Sequence, residues 1–241
     1  MMLLNRKRLQ LGQSPLGQLL LQLPVLPVLV AISCAISGAQ APYRVLQGSV
    51  NSDGFPTTAA SICLGETGSA HCYTPSDYQP KSPFGLNAKA VDIGQLNGIP
   101  LTLFTAIFSA GAGEITNYAL LTVKDGDFVN LLPKLQLTNQ SEFAVWNLSE
   151  FSNLPILVTA DFLWDPYHQL GSNNELESHY GPHRYTVRVL LYDPATSRYA
   201  ECLHFDTDRT YPGLNNVDAV KVLTPERKHI LARLRKEGVH P

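Results

Sequence analysis

The chain has 241 residues, of which 44% are hydrophobic, and it carries 18 basic and 20 acidic side chains. Removal of the first 39 residues takes away three basic residues and leaves 15 against 20, so the remaining chain is mildly acidic. No segment is basic enough to neutralise phosphate groups, which excludes nucleic acid as the expected partner.

Residues 1–39 have the order of a secretory signal peptide. A basic segment at 6–8 precedes an apolar stretch from about 16 to 36, and Ser37 and Ala39 supply the small side chains that signal peptidase requires. We therefore expect cleavage after Ala39 and a secreted or periplasmic protein.

Two alternatives to a cleaved signal peptide stay open. Residues 31–34 resemble a lipobox, in which Cys34 would be lipidated and would anchor the protein to a bacterial membrane, although Ala31 stands where a larger aliphatic residue is usual. An uncleaved membrane helix would need about 20 predominantly apolar residues, and glutamines and prolines interrupt the run between 18 and 27.

Residues 40–87 are rich in Gly, Ser, Thr and Pro and predict an irregular arm with short strand-like pieces at 43–46 and 59–64. Cys63 and Cys72 flank a short loop in this arm. Export permits a disulfide between them, worth about 2 to 3 kcal/mol on the chain-entropy model.

Residues 88–241 predict a β domain. The segments 101–109 and 156–164 are rich in β-branched and aromatic residues and resemble each other at an offset of 54 positions. The strands predicted after them are 118–123 and 128–132 in the first case, and 185–192 and 198–205 in the second. Asp125-Gly126 predicts a type I′ hairpin turn between the first two.

These segments predict two similar three-stranded meanders, which form either a sandwich or one curled antiparallel sheet. Alternation along each first strand assigns one face to the core. The residues on that face are Phe104, Ala106 and Phe108 in the first meander and Val158, Ala160 and Phe162 in the second.

A single helix is predicted at the C-terminus. Thr224 is suited to the N-cap, Pro225 to the first turn, and Gly238 to the position just after the last turn. Ile230 and Leu234 give the helix an apolar stripe, so we expect it to pack over the sheet.

The most polar segment is the loop after 156–164. It carries the candidate metal ligands His168, His179 and His183, together with Asp165, and these residue types are typical ligands of zinc. Gly181-Pro182 prevents the regular helix that a zinc-binding histidine pair would favour. A solvated surface loop is the simpler interpretation, and we expect no cofactor.

Asp161 interrupts an apolar strand, and a buried carboxylate needs a partner. Arg188 in the neighbouring predicted strand can supply a cross-strand charge-assisted hydrogen bond. The functional alternative makes Asp161 and Asp165 catalytic acid and base groups. Four aromatic residues of the second half are candidates for binding a partner, namely Trp164, Tyr180, Tyr185 and Tyr192.

No nucleophile elbow, Walker loop or HExxH zinc motif occurs in the sequence. We therefore expect an exported noncatalytic β domain that binds a protein or glycan of the bacterial cell envelope. One alternative is a secreted hydrolase that uses Asp161, Asp165 and the histidine-bearing loop, with or without a metal. Another is a structural envelope component anchored through Cys34.

Overall fold

The computed structural model describes residues 43–53, 56–65, 71–75, 87–110, 113–163, 182–212 and 219–241. These residues form fourteen strands in four antiparallel sheets and one C-terminal α-helix, which confirms the mainly β class. Within these ranges, no helix is long and apolar enough to cross a membrane. The predicted signal peptide and Cys34 lie outside the described residues.

Short strands form within the segment that was predicted to be an irregular arm. Strands β1 (Tyr43–Leu46), β4 (Ser61–Leu64) and β5 (Cys72–Tyr73) form the N-terminal sheet, and β2 (Ser49–Val50) and β3 (Pro56–Thr58) form a separate hairpin. Cys63 and Cys72 pair directly across β4 and β5, and their sulfur atoms lie at disulfide distance as predicted.

The middle sheet is built on three long strands in chain order. These are β6 (Asn87–Leu96), β7 (Ile99–Ala110) and β8 (Gly113–Lys124), and the short strands β9 (Asp127–Asn130) and β10 (Leu135–Thr138) both pair with β8. The predicted turn at Asp125-Gly126 joins β8 to β9, with positive φ at both residues. A second such turn, Asn97-Gly98, joins β6 to β7 and was not predicted.

The C-terminal sheet also follows chain order. Its strands are β11 (Glu142–Trp146), β12 (Ile156–Phe162), β13 (Tyr185–Asp193) and β14 (Arg198–Asp206), and helix α1 (Leu223–Lys236) follows them. Strands β12, β13 and β14 occupy the segments that the sequence predicted. Strand β11 lies in a segment for which no strand was predicted.

Both faces of the central strands β7 and β12 are buried. Phe104 on one face of β7 shares a core with Ile62 of the N-terminal sheet, and Leu103 on the other face shares a second core with Leu157 of β12. The opposite face of β12, which includes Val158, packs in a third core with helix α1. Alternation along the sequence predicts only one buried face for each of these strands, so the second buried face differs from the prediction.

The middle and C-terminal sheets approach each other closely at Gly94. A Cβ atom at this position would lie 3.0 Å from Cγ of Pro155, which is tighter than an ordinary carbon contact. Gly94 also lies at the register shift between β6 and β7. A side chain at position 94 would therefore force the Pro155 ring to shift, while the backbone conformation of Gly94 is an ordinary one.

Helix α1 is capped by a residue from β11. Oε2 of Glu142 accepts the backbone N–H groups of Val222 at 2.5 Å and Leu223 at 2.7 Å. A carboxylate at this position satisfies free N–H groups and complements the positive end of the helix. The prediction that Thr224 is the N-cap is wrong, because the helix begins at Leu223 and the capping group comes from a distant strand.

Glu226 in the first turn of α1 is the centre of a buried polar network. Tyr211 donates a hydrogen bond to it, Arg209 Nε lies 3.3 Å from Oε1, and His229 Nδ1 lies 3.0 Å from Oε2. Arg233 Nε in turn donates to His229 Nε2 at 2.9 Å. Burial disfavours the charged carboxylate, but the hydrogen bonds outweigh it and lower the pKa of Glu226.

Candidate functional site

Tyr192, one of the predicted binding residues, lies near the end of β13 and is half-buried. Its ring meets the ring of Tyr199 edge-on, with 5.9 Å between centroids. Tyr199 is fixed in turn, because its hydroxyl donates to the carbonyl oxygen of Pro155 at 2.9 Å and its N–H to that of Leu131 at 2.8 Å. Tyr192 therefore rests on a rigid support that joins the two large sheets.

Tyr192 lines a cleft of about 380 Å³. Apolar side chains from several loops and the C-terminus make most of its wall, and Asn97, Ser152, Asn153 and His240 add polar groups. The apolar residues are Leu96, Phe151, Leu154, Leu191, Pro194 and Pro241.

A second cleft of about 380 Å³ adjoins the first and shares Leu96, Asn97 and Tyr192 with it. We call the two clefts together the Tyr192 groove. The remaining residues of the second cleft are Ile99, Thr122, Val123, Lys124, Val129, Leu131, Thr196, Ser197 and Arg198. The groove thus combines an aromatic ring with amide, hydroxyl and cationic groups.

A third cleft, of about 440 Å³, continues from the second through Val129 and Arg198. Lys134 and Asn130 provide polar groups in this cleft, and Tyr73 forms part of its wall. Tyr73 follows the disulfide-bonded Cys72, so the N-terminal sheet contributes to this end of the surface.

Two tight turns frame the groove. One is Asn97-Gly98, and the other joins β13 to β14, where Asp193 accepts hydrogen bonds from the Thr196 hydroxyl at 2.8 Å and the Ala195 N–H at 2.9 Å. These two hydrogen bonds lower the pKa of Asp193. The carboxylate stabilises its own turn and is not one of the groups that line the groove.

The described residues that line the Tyr192 groove include no Asp or Glu side chain. General acid–base hydrolysis of a glycosidic bond uses a pair of carboxyl groups, so the lining does not have the composition of such a site. An aromatic face with neighbouring amide, hydroxyl and cationic groups is instead suited to stacking and hydrogen bonding with a ligand.

Tyr185 does not belong to this groove and corrects one of the predictions. Its ring is completely buried beneath α1 and meets Phe162 and Tyr211 edge-on. Burial, with a smaller effect of the carboxylates of Asp161 and Glu142, raises its pKa to about 12. No face of the ring is exposed to a partner. The other two predicted binding residues, Trp164 and Tyr180, lie outside the described residues.

Asp161 is not paired with Arg188 as predicted. Its Oδ1 accepts a hydrogen bond of 2.6 Å from the Ser141 hydroxyl, and the Nε atom of Arg188 lies 3.8 Å from Oε2 of Glu201. Arg188 points to β14 because the cross-strand pairing of β13 with β14 brings Glu201 within reach. The predicted catalytic partner Asp165 lies outside the described residues.

His183, a predicted metal ligand, is buried next to the aromatic core. Its backbone exchanges hydrogen bonds with Tyr211 at 2.8 and 2.7 Å, and its ring centroid lies 4.2 Å from that of Phe162. Within the described ranges, no three His, Cys, Asp or Glu residues are grouped to hold a metal ion. The other two candidate ligands, His168 and His179, lie outside those ranges.

The chain matches no protein-family model, and neither a curated protein nor a solved structure shows significant similarity to it. The interpretation of the groove therefore depends on its own residues. Most of them were not predicted, although the Asn97-Gly98 pair is a strong hairpin signal and Asn97 lines both clefts.

Proposed function

We propose that this protein is an exported, noncatalytic β domain that binds a glycan of the bacterial cell envelope in the Tyr192 groove. The observation that carries the proposal is the ring of Tyr192, which is half-buried, supported by Tyr199 and shared by two adjoining clefts. A ring held in this way loses little conformational freedom when a ligand packs on it.

The groups around the ring favour a glycan over a protein. Asn97, Thr196 and Ser197 offer an amide and two hydroxyls within the groove, and Lys124 and Arg198 add cations. Sugar rings need both an aromatic surface and several hydrogen-bonding groups, and anionic substituents on the sugar would be neutralised by the cations. A protein of the envelope is the alternative partner.

The proposal extends to the compartment and architecture. Cleavage after Ala39 would release a secreted or periplasmic domain, and lipidation at Cys34 would place the same domain on a membrane surface. The middle and C-terminal sheets are interpreted as a sandwich of two similar meanders, since Leu103 and Leu157 share one core and each sheet follows chain order.

Co-sedimentation with purified peptidoglycan tests the proposal. The full chain should sediment with peptidoglycan, and Tyr192→Ala should reduce the affinity about tenfold or more, as expected for a central aromatic contact. Tyr192→Phe keeps the ring and should retain most of the binding. Val50→Ala, at an exposed site in the β2–β3 hairpin, should bind like the unaltered protein.

Two results would count against a glycan at this groove. Sedimentation that is unchanged in Tyr192→Ala would show that the contact lies elsewhere. Absence of sedimentation by the unaltered protein, together with capture of an envelope protein that depends on Tyr192, would identify the alternative partner.

A further inference from the structure

Helix α1 and its flanking residues carry an excess of positive charge that the rest of the chain does not share. Residues 219–241 hold six basic and two acidic side chains, whereas residues 40–218 hold nine basic and 18 acidic side chains. A sum over the whole chain hides this local excess. The expectation that no segment is basic enough to meet phosphate groups therefore does not hold for α1.

The side of α1 that faces away from the sheet is cationic. The helix packs on the sheet through four buried residues, namely Leu223, Glu226, Ile230 and Leu234. Because the helix has 3.6 residues per turn, its opposite side is occupied by the exposed residues Lys228, Arg235 and Lys236, which we call the cationic crest. The same period places the acidic Glu237 away from the crest, on the side of Ile230.

Two further arginines widen the cationic surface, one on each side of the crest. The guanidinium of Arg227 lies over the ring of Trp146, 4.5 Å from its centroid, and that of Arg233 lies over Phe205 at 4.3 Å. A guanidinium that packs on a ring keeps its charge while the ring fixes its position. The positive charges of α1 are therefore spread across the width of the helix.

The crest is an open surface and does not belong to a cleft. None of its three residues lines the clefts described above. Lys228 and Lys236 form no ion pair within the described part of the chain, and Arg235 pairs only with the half-exposed Glu150 there. Such a surface cannot enclose a small anion, but it matches an extended anionic surface such as that of phospholipid head groups.

A second copy of the chain is a less suitable partner for the crest. The exposed carboxylates outside α1 in the described residues are dispersed over turns and strands of different sheets, namely Asp53, Asp92, Asp125, Asp127, Glu150, Glu201 and Asp208. No single element therefore presents a row of carboxylates that would match the row of cations, whereas an anionic bilayer presents negative charge everywhere on its surface.

We propose that the cationic crest, together with Arg227 and Arg233, binds the anionic head groups of a phospholipid bilayer. The apolar side of α1 is already buried in a core of the protein, so the contact is electrostatic and the helix does not enter the hydrocarbon. The contact does not use the Tyr192 groove and is independent of the glycan proposed there.

Co-sedimentation of the full chain with phospholipid vesicles tests the proposal. One set of vesicles contains phosphatidylcholine alone, and the other contains one third phosphatidylglycerol, which is anionic. The chain should bind the anionic vesicles more tightly, and salt at about 0.5 M should remove the difference because the Debye length then falls to about 4 Å. The predicted signal peptide is the same in every variant, so differences between variants report on α1.

The combined variant Lys228→Gln, Arg235→Gln and Lys236→Gln should weaken binding to the anionic vesicles at least about tenfold, since each cation near such a surface contributes about fivefold. All three positions are exposed, so the change does not threaten folding. The matched control removes the same charge from exposed positions on the sheets, namely Lys89→Gln, Lys134→Gln and Arg188→Gln. The control should bind like the unaltered chain.

Three results would overturn the proposal. The first is that the crest variant binds the anionic vesicles as tightly as the unaltered chain, and the second is that the crest variant and the control lose the same affinity. The third is that the unaltered chain does not distinguish the two vesicle types but self-associates at low salt in a way that the crest variant abolishes. That result would identify a second copy as the partner.

Discussion

The network around Glu226 makes a specific prediction about what holds helix α1 to the sheet. The Glu226 side chain is only 5% exposed, and its carboxylate accepts hydrogen bonds from Tyr211, Arg209 and His229. Glu226→Gln keeps the volume and one oxygen atom but removes the charge. The variant therefore tests the electrostatic part of the network without opening a cavity.

The expected loss of stability follows from these contacts. Hydrogen bonds to a charged group are worth about 1.5 to 3 kcal/mol each, and Gln retains part of them, so we expect Glu226→Gln to cost about 2 to 3 kcal/mol. For a domain of this size that corresponds to a fall in Tm of about 5 to 10 °C. Thermal unfolding followed by circular dichroism at pH 7 measures it.

The effect should depend on pH in a defined direction. The pKa of Glu226 in the folded protein lies below its ordinary value of 4.5, so its contribution is present above that value and is lost as the pH falls through the folded pKa. The difference in stability between the unaltered protein and Glu226→Gln should therefore shrink when the measurement is repeated at about pH 3.

Glu150→Gln is the matched control. Glu150 also pairs with an arginine of α1, with Arg235 Nη2 at 3.1 Å, but both side chains are about half exposed. A surface pair of this kind contributes about 1 kcal/mol or less. Equal destabilisation by the two variants, or a Glu226 effect that does not change between pH 7 and pH 3, would show that the charge of Glu226 does not stabilise the fold.

Three other changes have predicted outcomes. Gly94→Ala places a Cβ atom 3.0 Å from Pro155 and should lower the free energy of unfolding, measured in urea, by about 1 to 3 kcal/mol. An unchanged urea midpoint would mean that the two sheets do not approach each other closely at this position. Cys63→Ser removes the disulfide to Cys72 and should lower the free energy of unfolding by about 2 to 3 kcal/mol. A reductant should destabilise the unaltered protein by the same amount and should leave the variant unchanged. Burial and the hydrogen bond to the helix raise the pKa of Tyr211 to about 12, so stability should fall as the pH rises from about 10 to 12, and Tyr211→Phe should reduce that loss.

Local sequence signals predicted the strands and turn that depend on local chemistry. The apolar segments at β12 and β13 and the Asp125-Gly126 turn agree with the structure because β-propensity and positive φ are properties of the residues themselves. The cap of α1 could not be predicted in this way, since Glu142 belongs to a strand far away in the sequence.

The two tyrosines of β13 show why the site was predicted only in part. Tyr185 and Tyr192 lie on opposite faces of the strand, as the period of two requires. The sequence does not say which face another element will cover. Helix α1 covers the face of the strand that carries Tyr185. On the opposite face, Tyr192 lines two open clefts, so of these two tyrosines only Tyr192 is available to a ligand.

Hydrogen–deuterium exchange with and without soluble muropeptides locates a bound glycan on the protein without any substitution. If a glycan binds in the Tyr192 groove, exchange should slow at 96–99, 151–154 and 191–198, the segments that line the groove around Tyr192. Little change is expected in the β2–β3 hairpin. Protection confined to other segments, with none at these three, would contradict glycan binding in this groove.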